Sequence, residues 1–244
     1  MKVTAISDLH GNLIDITETC DLICICGDIS PLEIQKDHIK MTKWFFNDFY
    51  EWIMKLPCTL VILTPGNHDF WLYKFISSSK MCLWNKLEIL IDDSTMFYSG
   101  NDDKWYNIYA TPQCKDFGKW AYMPGNDTLD EYYSKIPSNI DILLCHDSPN
   151  INEVGTIHYD EPINNEGDTK VEAGNQYLAK AIIDKQPRYV FSGHIHSGNH
   201  NITKYNNTNL VNVSILDESY NIYYKPLTLE GYTKAKRDHD QLWT

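Results

Sequence analysis

The sequence predicts an α/β protein in which strands and helices alternate within one domain. Short apolar runs of strand length, rich in β-branched residues, recur along the chain and end in polar or turn-forming residues. Between several of them, apolar residues recur at three- and four-residue steps, which is typical of amphipathic helices. No linker, change of composition or internal repeat divides the 244 residues, so residues 1–244 are predicted to form a single domain.

In the N-terminal half, strands are predicted at residues 3–7, 22–26, 59–63 and 87–91. The stretch Ser30-Pro31-Leu32-Glu33 has the composition of a helix start, with a capping serine, a first-turn proline and a glutamate. The helix that follows is expected to bury an apolar stripe made of Met41, Phe45, Phe49, Trp52 and Leu56. Pro57 ends it, and a second, short helix is expected from Trp71.

In the C-terminal half, strands are predicted at residues 107–111, 141–145, 188–192, 210–215 and 222–224, and helices at 129–136 and 172–185. The last strands are expected to be antiparallel. Residues 113–126 and 150–172 show no period and are predicted as loops. Within the first loop, Trp120 and Tyr122 are interpreted as packing residues rather than as platforms for stacked bases.

Composition disfavours several classes of partner. The chain has 21 basic and 33 acidic residues and a net charge of −12, so its field repels extended nucleic acids and anionic membranes. It contains no apolar run long enough to span a bilayer and no signal-peptide pattern. The seven cysteines include no Cys-x-x-Cys pair and are expected to be reduced thiols. A cytoplasmic protein with no membrane association is therefore expected.

Polar side chains cluster directly after the predicted strands, and together they indicate a metal centre. They are two carboxylates, four imidazoles and one amide: Asp8, His10, Asp28, Asn67, His146, His194 and His196. Ligands bind beyond the carboxyl ends of strands in α/β sheets, so these groups are expected to converge. Mixed nitrogen and oxygen ligands suit Mn, Fe, Ni, Co or Zn. Seven groups exceed the needs of one ion and match two ions that share a carboxylate.

Five motifs occur in a fixed order and resemble those of the calcineurin-like metallophosphoesterases. They are Asp8-Leu9-His10, Gly27-Asp28, Gly66-Asn67-His68-Asp69, the strand-end His146, and Gly193-His194-Ile195-His196. The resemblance covers roughly residues 1–227 and leaves a polar C-terminal tail at 228–244. The short spacing between the first two motifs is most similar to that of the small metallophosphoesterase-domain phosphodiesterases. The resemblance implies an αββα sandwich of two mixed β-sheets flanked by helices.

The same resemblance implies a role for each site residue and a hydrolase that depends on two divalent ions. Asp8, His10 and His196 would hold one ion, Asn67, His146 and His194 the other, and Asp28 would bridge them. A hydroxide bridging the ions would attack the phosphorus in line, and His68 would protonate the leaving oxygen as general acid. Asp69 could orient His68. Manganese is the first expectation for the metal, with Fe, Ni, Co or Zn as alternatives.

Two departures from the family pattern bear on the substrate. Many relatives carry an arginine shortly after Gly-Asp, whereas residues 27–31 contain none, which favours a small substrate over a phosphoprotein. Asp147 stands where the subgroup has glycine, and it could narrow the pocket or orient His146. Asn12 is expected either to contact phosphate or to close the turn at Gly11. His158 is expected either to reach the site from its long loop or to lie at the surface.

The predicted function is hydrolysis of a small or nucleotide-like phosphodiester. Two alternatives stay open at the sequence level. One keeps the metal chemistry but acts on phosphomonoesters or nucleic acid ends, although the acidic charge disfavours a nuclease. The other is a scaffold that only binds a protein partner, which intact ligand motifs disfavour.

Overall fold

The fold consists of two six-stranded mixed sheets that pack face to face, as seen in a computed structural model that describes residues 1–159, 161–164, 167–198 and 200–230. The first sheet contains β1 (Val3–Ile6), β2 (Leu22–Cys26), β3 (Leu60–Thr64), β4 (Lys80–Leu83), β5 (Leu87–Leu90) and β14 (Leu227–Leu229). The second contains β6 (Asp93–Ser99), β7 (Lys104–Thr111), β8 (Ile142–Cys145), β11 (Tyr189–Ser192), β12 (Thr203–Tyr205) and β13 (Thr208–Asn212). A small hairpin pairs β9 (Thr156–His158) with β10 (Lys170–Glu172).

Each sheet has a parallel centre and antiparallel edges. The first runs β14-β1-β2-β3-β5-β4, and the second runs β12-β13-β11-β8-β7-β6. The registers of β1, β2 and β3 place Val3 beside Leu22 and Leu22 beside Leu60, so these three strands end at one level. In both sheets the parallel strands therefore deliver their following loops to one edge.

Helices cover the outer faces. They are α1 (His38–Trp44), α2 (Tyr50–Lys55), α3 (Phe70–Phe75), α4 (Leu129–Ser134) and α5 (Gln176–Lys185). A π-helical turn over Phe45–Phe49 joins α1 to α2, and a short 3₁₀ turn over Asn126–Thr128 precedes α4. None of the described helices combines the length and the apolar character that crossing a bilayer requires.

Three buried clusters separate the layers. The first packs helices α1 to α3 against the outer face of the first sheet, and its centre includes Phe45 and Ile23. The second lies between the sheets and joins Ile62 of one to Phe191 of the other. The third packs α4 and α5 on the second sheet. The predicted αββα sandwich is confirmed.

The predicted helix start at Ser30 is wrong. Helix α1 begins seven residues later, where the Asp37 carboxylate accepts hydrogen bonds from the backbone N–H groups of Ile39 and Lys40. The Ser30 hydroxyl and backbone N–H are instead taken by the buried carboxylate of Asp69, at 2.7 and 3.0 Å. A tertiary partner therefore satisfies the groups that would otherwise begin a helix.

Other differences concern edges and loops. Edge strands β4, β6, β12 and β14 were not predicted, and residues 222–224 form only an isolated bridge from Ile222 to Leu216. The predicted loop 150–172 contains β9 and the β10 strand at its end. Strand β14 ends at Leu229, two residues into the predicted tail, and residues 231–244 lie outside the described part.

Candidate metal centre

Five strand ends from the two sheets meet at one edge of the sandwich. Residues following β1, β2 and β3 come from the first sheet, and residues following β8 and β11 come from the second. The structure brings six of the seven predicted metal ligands into mutually close groups, and the seventh, Asn67, contacts one of those six. These groups are Asp8-His10-His196, Asp8-Asp28-His146 and Cys114-His146-His194, and a fourth group, His10-Asp28-His68, also includes His68; in each of them the ligand atoms lie within 4.8 Å of one another.

The backbone is strained where these ligands leave their strands. Asp8, His10, Asp28 and His194 have positive φ angles of 58°, 42°, 53° and 69°. Residues other than glycine adopt this region rarely, and such conformations concentrate at functional sites. Four of the candidate ligands thus lie on backbone that the surrounding structure must hold in place.

The first half of the cluster is organised around Asp8. Its carboxylate accepts the backbone N–H of His194 at 3.0 and 3.1 Å and lies 3.6 Å from the Nε2 atom of His196. His196 donates its Nδ1–H to the carbonyl of Asp217 at 3.2 Å, which leaves Nε2 directed to Asp8. Second-partner bonds of this kind fix the orientation of histidine ligands.

Asp28 lies at the centre of the cluster. Its Oδ2 atom is 3.6 Å from Nε2 of His10 and 3.4 Å from Nε2 of His146. Its other oxygen accepts the backbone N–H of His68 at 2.8 Å, which ties the β2 loop to the β3 loop. This position between two groups of imidazoles is the one that a bridging carboxylate requires.

The second half of the cluster contains His146, Asn67 and His194, and the side chains of His146 and Asn67 face each other. Nδ1 of His146 donates to the carbonyl of Cys26 at 2.8 Å, so its Nε2 atom points into the site, 2.8 Å from Oδ1 of Asn67. The rings of His146 and His194 are 5.1 Å apart. The sulfur of Cys114 lies within 4.8 Å of a ligand atom of each ring and donates to the carbonyl of Pro112, and burial raises the pKa of the thiol well above its ordinary range.

Burial and neighbouring charges shift the pKa values of the candidate ligands in opposite directions. Burial lowers the pKa of His146, but Asp28 more than offsets this and raises it to about 10. Burial raises the pKa of Asp8, but His196 more than offsets this and lowers it to about 2. Burial lowers the pKa of His10 to about 4 against the opposing pull of Asp28. The carboxylates are therefore charged, and His10 is neutral.

The donor set fits metal ions. Both ring nitrogens of His10 are buried without a hydrogen-bond partner, and a neutral imidazole in that state is costly unless something binds it. The Asn67 oxygen and the Nε2 atom of His146 lie 2.8 Å from each other at the same place in the cluster. Carboxylate oxygens and neutral imidazoles are the ligands of Mn, Fe, Ni, Co and Zn sites.

His68 lies beside this cluster with partners of its own. Its Nδ1 atom is 2.9 Å from Oε1 of Gln35, and its ring lies 4.4 Å from Trp120 at an angle of 34°. The centre of the His10 ring is 4.8 Å away, in an edge-on arrangement. Burial lowers the pKa of His68, and Asp28 opposes this shift.

None of the described hydrogen bonds joins Asp69 to His68, so the orienting role of Asp69 stays a prediction. Its carboxylate accepts N–H groups from Gly66 and Ser30 and the Ser30 hydroxyl, and Gln35 occupies the Nδ1 atom of His68 instead. Burial, reinforced by the nearby charge of Asp28, raises the pKa of Asp69 to about 6. The hydrogen bonds of Asp69 thus hold two loops together.

The remaining sequence-predicted residues lie outside the ligand groups. The Asn12 amide donates to the carbonyl of Leu9 at 2.8 Å and closes the local turn. His158 lines a neighbouring cavity of about 170 Å³, and its backbone N–H donates to Ser197. Asp147 accepts hydrogen bonds from the side chain of Asn175 and from the backbone N–H of Lys115. The Nδ1 atom of His146, the ring that Asp147 was expected to orient, is held by the carbonyl of Cys26 instead.

Aromatic rings from two loops surround the cluster, and sequence reasoning missed them. Phe117 lies 5.3 Å from the ring of His194, and Tyr220 lies 5.1 and 4.9 Å from the rings of His10 and His196. Trp120 was predicted as a packing residue, yet it packs on His68 itself. Tyr122 is buried, as predicted. No period marks these positions, since each depends on a loop conformation.

Comparisons with known proteins agree with this geometry. The family described as calcineurin-like phosphoesterase matches residues 1–198. Proteins named metallophosphoesterase domain-containing protein 1 from Homo sapiens and Mus musculus are 24% identical over 252 residues, covering 94% of this chain and 70% of each relative.

Two solved structures share the fold. Phosphopantetheinyl hydrolase from Mycobacterium tuberculosis aligns with a TM-score of 0.51 at 12% identity, covering 90% of each chain. The protein TT1561 of Thermus thermophilus aligns with a TM-score of 0.51 at 14% identity, covering 86% of this chain and 88% of that one. At these identities the likeness concerns the architecture.

Proposed function

The chain belongs to the calcineurin-like phosphoesterase family, and from that premise we propose that its metal centre hydrolyses small or nucleotide-like phosphodiesters. The observation that carries the proposal is the convergence of Asp8, Asp28 and four histidines on one buried edge, with both nitrogens of His10 unpartnered. A metal-dependent phosphoesterase needs such a set, and a protein-binding scaffold does not.

The ligand assignment follows the two halves of the cluster. Asp8, His10 and His196 would hold one ion, Asn67, His146 and His194 the other, and Asp28 would contribute to both. When bound, two such ions lower the pKa of water and stabilise charge on phosphoryl oxygens. Mn²⁺ is the first candidate, because carboxylate, amide and imidazole ligands suit it.

The protein's own groups act around the metal centre. Asp28 fixes the backbone of His68 through its 2.8 Å hydrogen bond, so the imidazole has a set position relative to the ligands. His68 would exchange a proton with the leaving oxygen. Trp120 covers one face of its ring and keeps water from that side.

Charge favours a diester over a monoester. Burial lowers the pKa of His194 although Asp147 opposes the shift, and against burial Asp8 together with Glu218 raises the pKa of His196, so two further carboxylates, Asp147 and Glu218, add negative charge beside the candidate ligands. Arg188 is the only arginine among the described residues. It lies directly before β11, whereas His194 lies after β11, at the opposite end of the strand. A phosphodiester carries one negative charge and a monoester up to two, so the diester needs less compensation.

The test is a paired assay. The purified chain, stripped of metal and reloaded with Mn²⁺, is given bis(para-nitrophenyl) phosphate, para-nitrophenyl phosphate and cyclic nucleotides, with a chelator as control. We expect turnover of the diester with kcat/KM roughly tenfold or more above that of the monoester, or about 1.4 kcal/mol.

Faster turnover of the monoester would favour the monoesterase alternative. Absence of turnover with Mn, Fe, Ni, Co and Zn, for every substrate, would refute an enzymatic function.

A further inference from the structure

A glutamine that no sequence motif marks is the hydrogen-bond partner of His68. Gln35 lies in the irregular segment between β2 and α1, and its Oε1 atom is 2.9 Å from Nδ1 of His68. The two residues are 33 positions apart in the chain. The contact therefore exists only because tertiary structure brings two loops together.

The direction of this hydrogen bond is fixed by a second one. Nε2 of Gln35 donates to the carbonyl of Leu32 at 3.1 Å, and a carbonyl can only accept. The amide is thereby locked with its oxygen toward His68. Because that oxygen can also only accept, Nδ1 of His68 must carry the hydrogen.

The His68 ring is restrained on its other sides as well. Trp120 packs against it at 4.4 Å, and the His10 ring meets it edge-on at 4.8 Å. One of its ring nitrogens lies within 4.8 Å of ligand atoms of Asp28 and His10. With Nδ1 occupied, Nε2 is the nitrogen left for chemistry at the metal centre.

We infer that Gln35 is a positioning residue that fixes the tautomer and the orientation of His68 so that Nε2 alone exchanges protons with the substrate. The amide oxygen accepts from Nδ1–H whether the imidazole is neutral or protonated, so the ring keeps one orientation through a proton transfer. A histidine whose second nitrogen is fixed in this way has its reactive nitrogen defined. The proton-transfer half of the inference rests on the proposed phosphodiesterase function, whereas the tautomer does not.

Nuclear magnetic resonance of the ¹⁵N-labelled, metal-stripped chain tests the tautomer without any assay. We expect His68 to show a protonated Nδ1 and a bare Nε2 in the neutral ring. Gln35→Met, which keeps length but removes the acceptor, should release the ring to a mixture of tautomers. Gln35→Glu retains an acceptor and should keep the hydrogen on Nδ1, although it loses the bond to Leu32.

Kinetics on two diesters test the proton-transfer role. Methyl para-nitrophenyl phosphate has a good leaving group that needs little protonation, and methyl phenyl phosphate has a poorer one. We expect Gln35→Met to lower kcat on the phenyl ester by roughly 10- to 100-fold, with a much smaller loss on the nitrophenyl ester. Gln35→Glu should recover most of that loss. Gln176→Met, the same change at an exposed position on α5, is the matched control.

Two results would overturn the inference. One is a wild-type His68 that carries its hydrogen on Nε2. The other is an equal loss on both esters in Gln35→Met with unchanged metal content, which would indicate general damage to the site. If the wild type hydrolyses neither ester, the proposed function fails, while the tautomer measurement still decides the role of Gln35.

Discussion

Replacing Asp28 by asparagine tests the central element of the candidate metal centre. The amide keeps the size of the side chain and one acceptor oxygen but removes a buried unit charge. Asp28 lies between His10 and His146, 3.6 and 3.4 Å from their Nε2 atoms, whereas the neighbouring carboxylate, Asp8, also accepts the backbone N–H of His194. We expect both ions to bind more weakly, because the shared ligand serves both.

The magnitude follows from the geometry. At 3.4 Å, the separation of Asp28 and Nε2 of His146, a carboxylate charge and a unit positive charge attract each other by about 5 kcal/mol at an effective dielectric constant of about 20. The cost of burying the carboxylate offsets part of this gain, so we expect a net loss of about 3 kcal/mol. That loss corresponds to roughly a 100-fold weaker metal affinity.

Metal content and affinity are measured by elemental analysis after dialysis and by calorimetric titration with Mn²⁺. Asp92→Asn is the matched control, because Asp92 is a half-buried carboxylate that is held by Thr111 and Gln113 and belongs to none of the candidate ligand groups. Wild-type affinity and two ions per chain in Asp28→Asn would show that Asp28 does not bridge. An equal loss in Asp92→Asn would show that the effect is not specific to the site.

Four further predictions follow from individual contacts. His68→Ala should keep its metal and lose roughly 10²- to 10⁴-fold in diesterase rate, and loss of metal would contradict its placement outside the ligand set. The pKa of His146 is about 10 without metal, so a metal ion that binds this imidazole near neutral pH must displace its proton. Calorimetry in buffers of different ionisation enthalpy should therefore detect proton release. Metal affinity should rise as the pH approaches that pKa and fall as the pH drops. Gly66→Ala should lower metal content, because a Cβ there would stand 2.5 Å from the backbone nitrogen of Asp28 and 2.7 Å from the His146 ring; an unchanged metal content would show that the loop can yield. Phe45→Ala should cost about 3–5 kcal/mol in urea unfolding, because the ring is 1% exposed in the first core, and a cost below about 1 kcal/mol would mean that the core refills the space.

The central strands were predictable because their environment leaves little choice. Strands β2, β3 and β8 are buried on both faces, and such strands appear in sequence as continuous apolar runs. Edge strands are different, since only one face is covered. Strand β6 alternates buried and exposed residues across Asp93–Ser99, and its polar residues make the segment resemble a loop in the sequence.

The clustering of the candidate metal ligands was predictable for a related reason. Each follows a buried parallel strand, so the strand prediction also fixes the edge at which its loop emerges. The surrounding residues had no such anchor. Phe117 and Tyr220 reach the site from irregular segments, and their ring contacts join residues 77 and 210 positions apart, as counted from His194 and His10. Sequence separations of that size carry no periodic signal.

The misplaced helix start and the missed partner of His68 have one physical cause. A serine before Pro-Leu-Glu is a sound local signal for a helix start. In the fold, however, the Ser30 hydroxyl and backbone N–H donate to the buried carboxylate of Asp69, so the serine does not cap a helix. The segment from Pro31 onward is therefore free to form turns, and one of them places Gln35 against His68. Asp69 thus anchors, through Ser30, the loop that carries Gln35, without a described hydrogen bond to His68 itself. The polar sequence Gly66-Asn67-His68-Asp69 combines a turn, a proposed ligand, a proposed acid and the anchor that holds the acid's partner in reach.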